Sequence, residues 1–302
     1  MFNLRHNRKA MIENLDPNLP AIEMLLAENI RVKPESISSV KPLRIALLNL
    51  MPIKHTTECD FIRLLTNSSL PIELTLLHIK EHVSKNTPME HIERFYKSFE
   101  EVEQETFDGL IVTGAPLEHL PFEEVNYWPQ IEKIFNWARS NVNSTIYICW
   151  AAQAALYHFY GVEKRVLKSK LFGIFDHTVN IHNHPIVAGF DDKFSAPHSR
   201  YTEIKHKEIA SIKGLKIIAE SDKAGVYIIE DGKHKEIFVT GHSEYAPLTL
   251  HEEYQRDLAK FLPIDIPCNY YPNNDMTKAP IVTWRGHANL LFGNWINNYV
   301  NK

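Results

Sequence analysis

Ser144-Thr-Ile-Tyr-Ile-Cys149-Trp150-Ala-Ala-Gln-Ala-Ala-Leu-Tyr157 is the stretch on which the fold turns. Its first half is β-branched and aromatic, the composition of a short buried strand. Its second half is Ala-rich without Gly or Pro, the composition of a helix. Cys149 stands at the junction. On such a turn the sulfur is lifted above the sheet and aimed at free helix N–H groups, a nucleophile elbow with sulfur in place of oxygen. The positive end of the helix dipole lowers the thiol pKa and favours the thiolate. A lone cysteine is more often a buried apolar residue. The strand–Cys–helix context reverses that balance once Glu236-Ile-Phe-Val-Thr-Gly-His242-Ser-Glu244-Tyr245 is read beside it. That run is a strand entering a loop. His242 and Glu244 are two apart, so in extended chain they share a side, and Cys149, His242 and Glu244 form a nucleophile–base–orienter set.

Upstream, apolar runs alternate with helical patterns. Leu43 to Leu50, Ile72 to Ile79 and Phe107 to Thr113 read as strands; Thr57 to Asn67, Met89 to Glu103 and Val125 to Asn141 read as helices, the last interrupted early by Pro129. This alternation predicts an α/β fold, a doubly wound, mostly parallel sheet covered on both faces. Ligands then sit at the carboxyl ends of the strands, where the loops Asn49 to Thr57 and Thr113 to Phe122 meet the Cys149 elbow. Downstream of Gly161 the pattern changes. Val179 to Pro185 and Gly189 to Ser199 are irregular or strand-like. Gly214 to Glu220, Gly225 to Ile229 and Glu236 to Val239 are short strands, the last two a hairpin around Asp231-Gly232. Thr249-Leu-His-Glu252 reads as a capping box opening a helix to Leu262, and Gly286 to Val300 as a closing amphipathic helix. Residues 1–40 read as an N-terminal arm with a short amphipathic helix from Leu19 to Glu28, and residues 41–302 as the main domain. The apolar arm suggests a homodimer contact.

The 302 residues are 44% hydrophobic and 23% charged, ordinary for a soluble globular enzyme. A net charge of -4 argues against nucleic acid or anionic lipid as the main partner. Cys59, Cys149 and Cys268 are too few for a disulfide framework, which fits a reducing cytoplasm. No apolar run approaches ~20 residues, so no signal peptide or membrane span is expected. Asp176-His177 and His182-Asn-His184 are weak as metal ligands, and no metal is expected. Gly114-Ala-Pro116 is not a phosphate-binding loop.

Several motifs together resemble the homoserine O-acyltransferases of the MetA type. They are Asn49-Leu-Met-Pro-Ile-Lys54, Phe107 to Pro116, Tyr127-Trp-Pro-Gln130, Cys149-Trp-Ala-Ala-Gln-Ala-Ala155, Ala196-Pro-His-Ser-Arg-Tyr201, Val239 to Tyr245 and Trp284 to Phe292. The resemblance covers nearly the whole chain. It implies a class I glutamine amidotransferase-like (flavodoxin-like) fold with a C-terminal helical extension. It also implies acyl transfer from an acyl-CoA to the side-chain oxygen of L-homoserine, towards methionine, with no cofactor beyond the acyl-CoA co-substrate. By resemblance Cys149 is the acyl-accepting nucleophile, His242 the general base and Glu244 its orienter. Lys54 and the Trp150 N–H serve the oxyanion hole, and Lys170, Ser199 and Arg256 contact substrate, Arg256 by a bidentate grip on the α-carboxylate. Where relatives often have Pro, this chain has Ser243, which loosens the turn and spares the triad. Glu118 is the position at which family members with Glu are associated with acetyl and those with Gly with succinyl transfer. A carboxylate there fills the acyl pocket and repels a succinyl carboxylate, so acetyl-CoA is the expected donor. Three other readings stand beside this one: succinyl transfer, a glutaminase-type cysteine amidotransferase using the same triad, and a non-catalytic binding protein.

Overall fold

The computed structural model describes residues 12–13, 15–30, 32, 40–80 and 86–301. Strands and helices alternate through its first half: β1 (Ile12–Glu13), α1 (Pro20–Ala27), β2 (Leu43–Leu48), α2 (Lys54–Leu65), β3 (Ile72–His78), α3 (Met89–Phe95), β4 (Lys97–Ser98), α4 (Phe99–Val102), β5 (Phe107–Val112), α5 (Trp128–Asn141), β6 (Val142–Ile148) and α6 (Trp150–Tyr160). The second half is mostly strand: β7 (Arg165–Val179), β8 (Lys193–Glu203), α7 (His206–Ala210), β9 (Leu215–Ser221), β10 (Gly225–Asp231), β11 (Glu236–Val239), α8 (Thr249–Ala259) and α9 (Arg285–Trp295), which runs into a π-helical turn, Ile296–Val300.

Among the described residues all the strands belong to one eleven-stranded sheet, ordered β1-β3-β2-β5-β6-β11-β10-β9-β7-β8, with β4 beside β3. From β1 to β11 the pairs are parallel, and from β11 to β8 antiparallel. The change of direction at β11 follows from its tight hairpin with β10, since a two-strand turn can join only antiparallel neighbours. Successive side chains point to opposite faces, and the sheet divides accordingly. Ile45, Leu47, Ile111, Ile146, Ile148 and Val239 pack under α1, α2 and α9. Ala46, Leu48, Leu110, Val112, Tyr147 and Phe238 pack under α4, α5 and α6. Both faces are covered, which is why these strands read as continuous apolar runs. A third cluster, with Phe172, Tyr245, Leu250, Tyr270 and Trp284, lies beside the site.

Several boundaries differ from the sequence reading. The helix expected over 89–103 is two helices, because Tyr96 is extended and Ser98 with Glu101 forms a capping box that starts α4. Pro129 does not interrupt a helix; it sits in the first turn of α5, where its missing N–H costs nothing. The expected Thr249 capping box is absent: Leu248 is the N-cap and no side chain caps the helix. Strand β7, fifteen residues long, was not foreseen from Arg165 to Thr178. In the described part of 1–40, β1 pairs with β3, while Ala21, Ile22 and Leu25 of α1 are buried in the core shared with α2.

Candidate active site

Cys149 caps α6 with φ 49° and ψ −110°, a backbone conformation that costs a non-glycine residue on the order of 1–3 kcal/mol. Its N–H donates to the Val239 carbonyl at 2.7 Å, so the elbow is tied to the end of β11. The chain leaving β11 brings back His242, whose own N–H donates to Pro197 O at 2.8 Å. Residues 242–244 are a turn rather than extended chain, and Glu244 curls back: His242 Nδ1 donates to Glu244 Oε1 at 2.6 Å. The ring's remaining nitrogen is left for the thiol, whose negative charge when ionised would pull the imidazole pKa up. Gly114, after β5, closes over the pair; a Cβ there would lie 3.4 Å from both Cys149 Cβ and His242 Cε1. Burial alone would strip the imidazole of its proton, but Cys149 and Glu244 outweigh it and hold His242 well above its ordinary pKa. The arrangement favours a protonated imidazole beside the sulfur.

Lys54 begins α2 at the end of β2, next to the same mouth. Leu50 N–H donates to Thr113 Oγ1 at 2.8 Å, which joins the β2 loop to the β5 loop. The Lys54 ammonium is buried and donates to the carbonyls of Asn49 at 2.5 Å and Met51 at 3.2 Å. Burial pushes its pKa down to about 8, against the pull of Glu58. Trp150 is the first residue of α6, so its N–H has no acceptor within the helix and points where a dipole favours negative charge.

On the far side, Lys170, Ser199 and Arg256 meet around two carboxylates of α8 that the sequence reading did not single out. Lys170 Nζ lies 3.2 Å from Glu253 Oε2 and 3.1 Å from Asp257 Oδ2. The Ser199 hydroxyl donates to the same Glu253 oxygen. Arg256 Nε donates to Asp257 Oδ1 at 2.8 Å, with its guanidinium half exposed. Burial would raise the Asp257 carboxyl, yet Arg256 and Lys170 hold it below the usual range. Glu253, Arg256 and Asp257 fall at helical i, i+3, i+4 spacing, the signal that could have found them. Tyr245 was likewise missed as a functional side chain. Glu118 sits on the β5 loop, partly buried and held above its ordinary pKa by burial, with His242 and Lys170 pulling it back. It therefore stands within electrostatic reach of both halves of the site. Lys164 holds this loop in place, donating to Leu120 O and lying 4.3 Å from the Phe122 ring centroid.

His177 and His184 have structural partners. His177 stacks on His198, and His184 Nε2 lies 2.9 Å from Glu230 Oε2. Among the described residues, Asp231, His234 and Glu236 are grouped closely enough to hold a cation. Arg139 already occupies that ground, 2.7 Å from Glu236 and 3.7 Å from Asp231, and supplies the positive charge.

Elbow, triad geometry and sheet order together define an α/β enzyme with a class I glutamine amidotransferase-like fold. A glutamine amidotransferase structure from Thermotoga maritima aligns with a TM-score of 0.57 at 13% identity, covering 87% of this chain and all (100%) of that one. One from Methylobacillus flagellatus aligns at 0.53 and 13%, covering 86% and 96%. The chain belongs to the family described as "HTS: Homoserine O-succinyltransferase", whose model matches residues 13–302. Curated relatives carry a different acyl group in their names. A "Homoserine O-acetyltransferase" of Phocaeicola vulgatus is 56% identical over 290 residues, 95% of each chain. Those of Acetivibrio thermocellus and Brevibacillus brevis are 55% and 52% identical, covering 94% and 95% of this chain and 94% of each relative. Among the described residues no helix is long and apolar enough to cross a membrane.

Proposed function

We propose that this protein transfers an acetyl group from acetyl-CoA to the hydroxyl of L-homoserine, giving O-acetyl-L-homoserine for methionine biosynthesis, in the cytoplasm. The observation that carries this reading is the buried Cys149–His242–Glu244 constellation at the strand ends, with Glu118 on the β5 loop close enough for its charge to couple to His242. The thiolate attacks the thioester carbon, the oxyanion rests on the Trp150 N–H and donors of the Lys54 loop, and CoA leaves as a thiol, taking the His242 proton as the C–S bond to it breaks and leaving the imidazole neutral. Homoserine then binds among Lys170, Ser199 and Arg256; the half-exposed guanidinium of Arg256 suits an α-carboxylate, and Glu253 an ammonium. His242 takes the hydroxyl proton as the oxygen attacks the acyl-enzyme. Residues 41–302 hold the acyltransferase site, the described part of 1–40 packs onto them through β1 and α1, and the protein works as a homodimer.

The names of the relatives favour acetyl; the family's own description favours succinyl, so the donor is the point to test. Incubation with acetyl-CoA or succinyl-CoA and no homoserine, followed by peptide mass spectrometry, should find acetyl on Cys149. A protein labelled only by succinyl-CoA, or by glutamine-derived probes, overturns the assignment. Cys149→Ala and His242→Ala should fold and lose nearly all turnover, whereas Glu244→Ala loses less, within the ~10²–10⁴-fold range of such roles. Cys59→Ala and Cys268→Ala should leave turnover largely intact.

A further inference from the structure

Tyr245 touches both halves of the site. Its ring lies almost parallel to the His242 imidazole, with centroids 4.2 Å apart and planes at 19°. Its hydroxyl donates to Glu253 Oε1 at 2.8 Å, while the other oxygen of Glu253 accepts from Ser199 and Lys170. Its carbonyl accepts from Trp284 Nε1 at 2.9 Å, within the third apolar cluster. Face, edge and backbone are thus all held. Burial, with Glu253 and Glu244 nearby, keeps the phenol well above its ordinary pKa, so it stays a donor.

We propose that Tyr245 is a positioning residue for acyl transfer: stacking sets the plane of His242, and the hydroxyl ties that plane through Glu253 to the cluster that receives the acceptor. The inference rests on the reading of Cys149 and His242 as nucleophile and base. The two contacts serve different steps. Stacking matters in both half-reactions, because His242 faces Cys149 in each. The hydroxyl tie matters in the second, in which the acceptor oxygen forms the new C–O bond, the C–S bond of the acyl-enzyme breaks, sulfur leaves as thiolate and the hydroxyl proton passes to His242. Only that step requires the imidazole to be registered against a molecule seated at Glu253.

Tyr245→Phe keeps the ring and deletes the tie; Tyr245→Leu deletes both. Three rates are measured on the full chain: alkylation of Cys149 by iodoacetamide at neutral pH, read on its own peptide; acetylation of Cys149 by acetyl-CoA alone; and single-turnover transfer from acetyl-enzyme to homoserine. For Tyr245→Phe we expect the first two within about threefold of the parent and transfer slowed by about tenfold or more. For Tyr245→Leu we expect all three slowed by about tenfold or more. A Phe variant that transfers at the parental rate, or in which acetylation falls as far as transfer, overturns the proposal. So does a Leu variant that alkylates normally. If Tyr245→Leu does not fold, Tyr245→Phe, one oxygen smaller, decides alone. Failure of the parent protein to accept acetyl would sink the functional reading instead, and the alkylation comparison, which uses no substrate, would still test the stacking.

Discussion

On the proposed reading single residues carry the chemistry, and some could be read without neighbours. Cys149 announced itself by lying between a strand composition and a helix composition, and its positive φ is what that junction demands. His242 and Glu244 were legible as a pair, although a turn, not an extended segment, brings the carboxylate to Nδ1. Glu118 was legible only through resemblance, because a loop glutamate has no local pattern. Its raised pKa yields a prediction with a definite sign. The carboxyl is neutral below that pKa and charged above it, so repulsion of a succinyl carboxylate grows as pH rises through it. The acetyl-to-succinyl ratio of kcat/KM should therefore rise with pH. Glu118→Gln should flatten that rise, and Glu118→Gly should also admit succinyl-CoA. If neither variant moves the ratio by more than about tenfold, ~1.4 kcal/mol, Glu118 is not the selector.

Elements place these residues, and their sequences differ in how much they reveal. The parallel strands, buried on both faces, were plain in their apolar runs. Strand β7 was hidden because its first part, Arg165 to Lys170, is polar and largely exposed and its pairing with β8 is irregular between Val166 and Leu171. The segment joining β11 to His242 shows how tightly an element fixes a side chain. A Cβ on Gly241 would stand 2.8 Å from His198 Cε1, Pro197 O and the Tyr227 ring, closer than such atoms approach. Two of those neighbours are a backbone oxygen and a fully buried ring, so the strand end must move. Gly241→Ala should cost about 2 kcal/mol of stability, as overpacking does, and displace His242. Denaturant titration and turnover measured on folded protein would check it; a variant matching the parent in both would show that the segment yields freely.

The whole molecule adds long-range ties that no local pattern encodes. Glu230 on β10 joins three distant parts: His184 at 2.9 Å, Tyr299 of the C-terminal turn at 2.7 Å and Lys216 of β9 at 3.3 Å. Burial would raise its pKa, but the hydrogen bonds from His184 and Tyr299 hold it at about 2, against 4.5 for a free glutamate. A carboxyl depressed in the fold contributes stability that is fully present above the unfolded value and disappears as pH falls through the folded one. That contribution should therefore be lost between about pH 4.5 and about pH 2. Glu230→Gln should cost about 2 kcal/mol at neutral pH and flatten this part of the acid-unfolding curve. An unchanged acid limb would show that the three contacts do not act through this charge.

By itself the sequence determined the alternating strands and helices, the Cys149 elbow and the His242–Glu244 partner, because each depends on hydrophobic period and residue type over a few positions. Tertiary structure alone decided that Lys170, Ser199, Glu253 and Arg256, from β7, β8 and α8, face one another. It also decided that Tyr245 lies against His242. Those meetings depend on which strands become neighbours and on how deeply charges are buried, and both are sums over segments far apart in the chain.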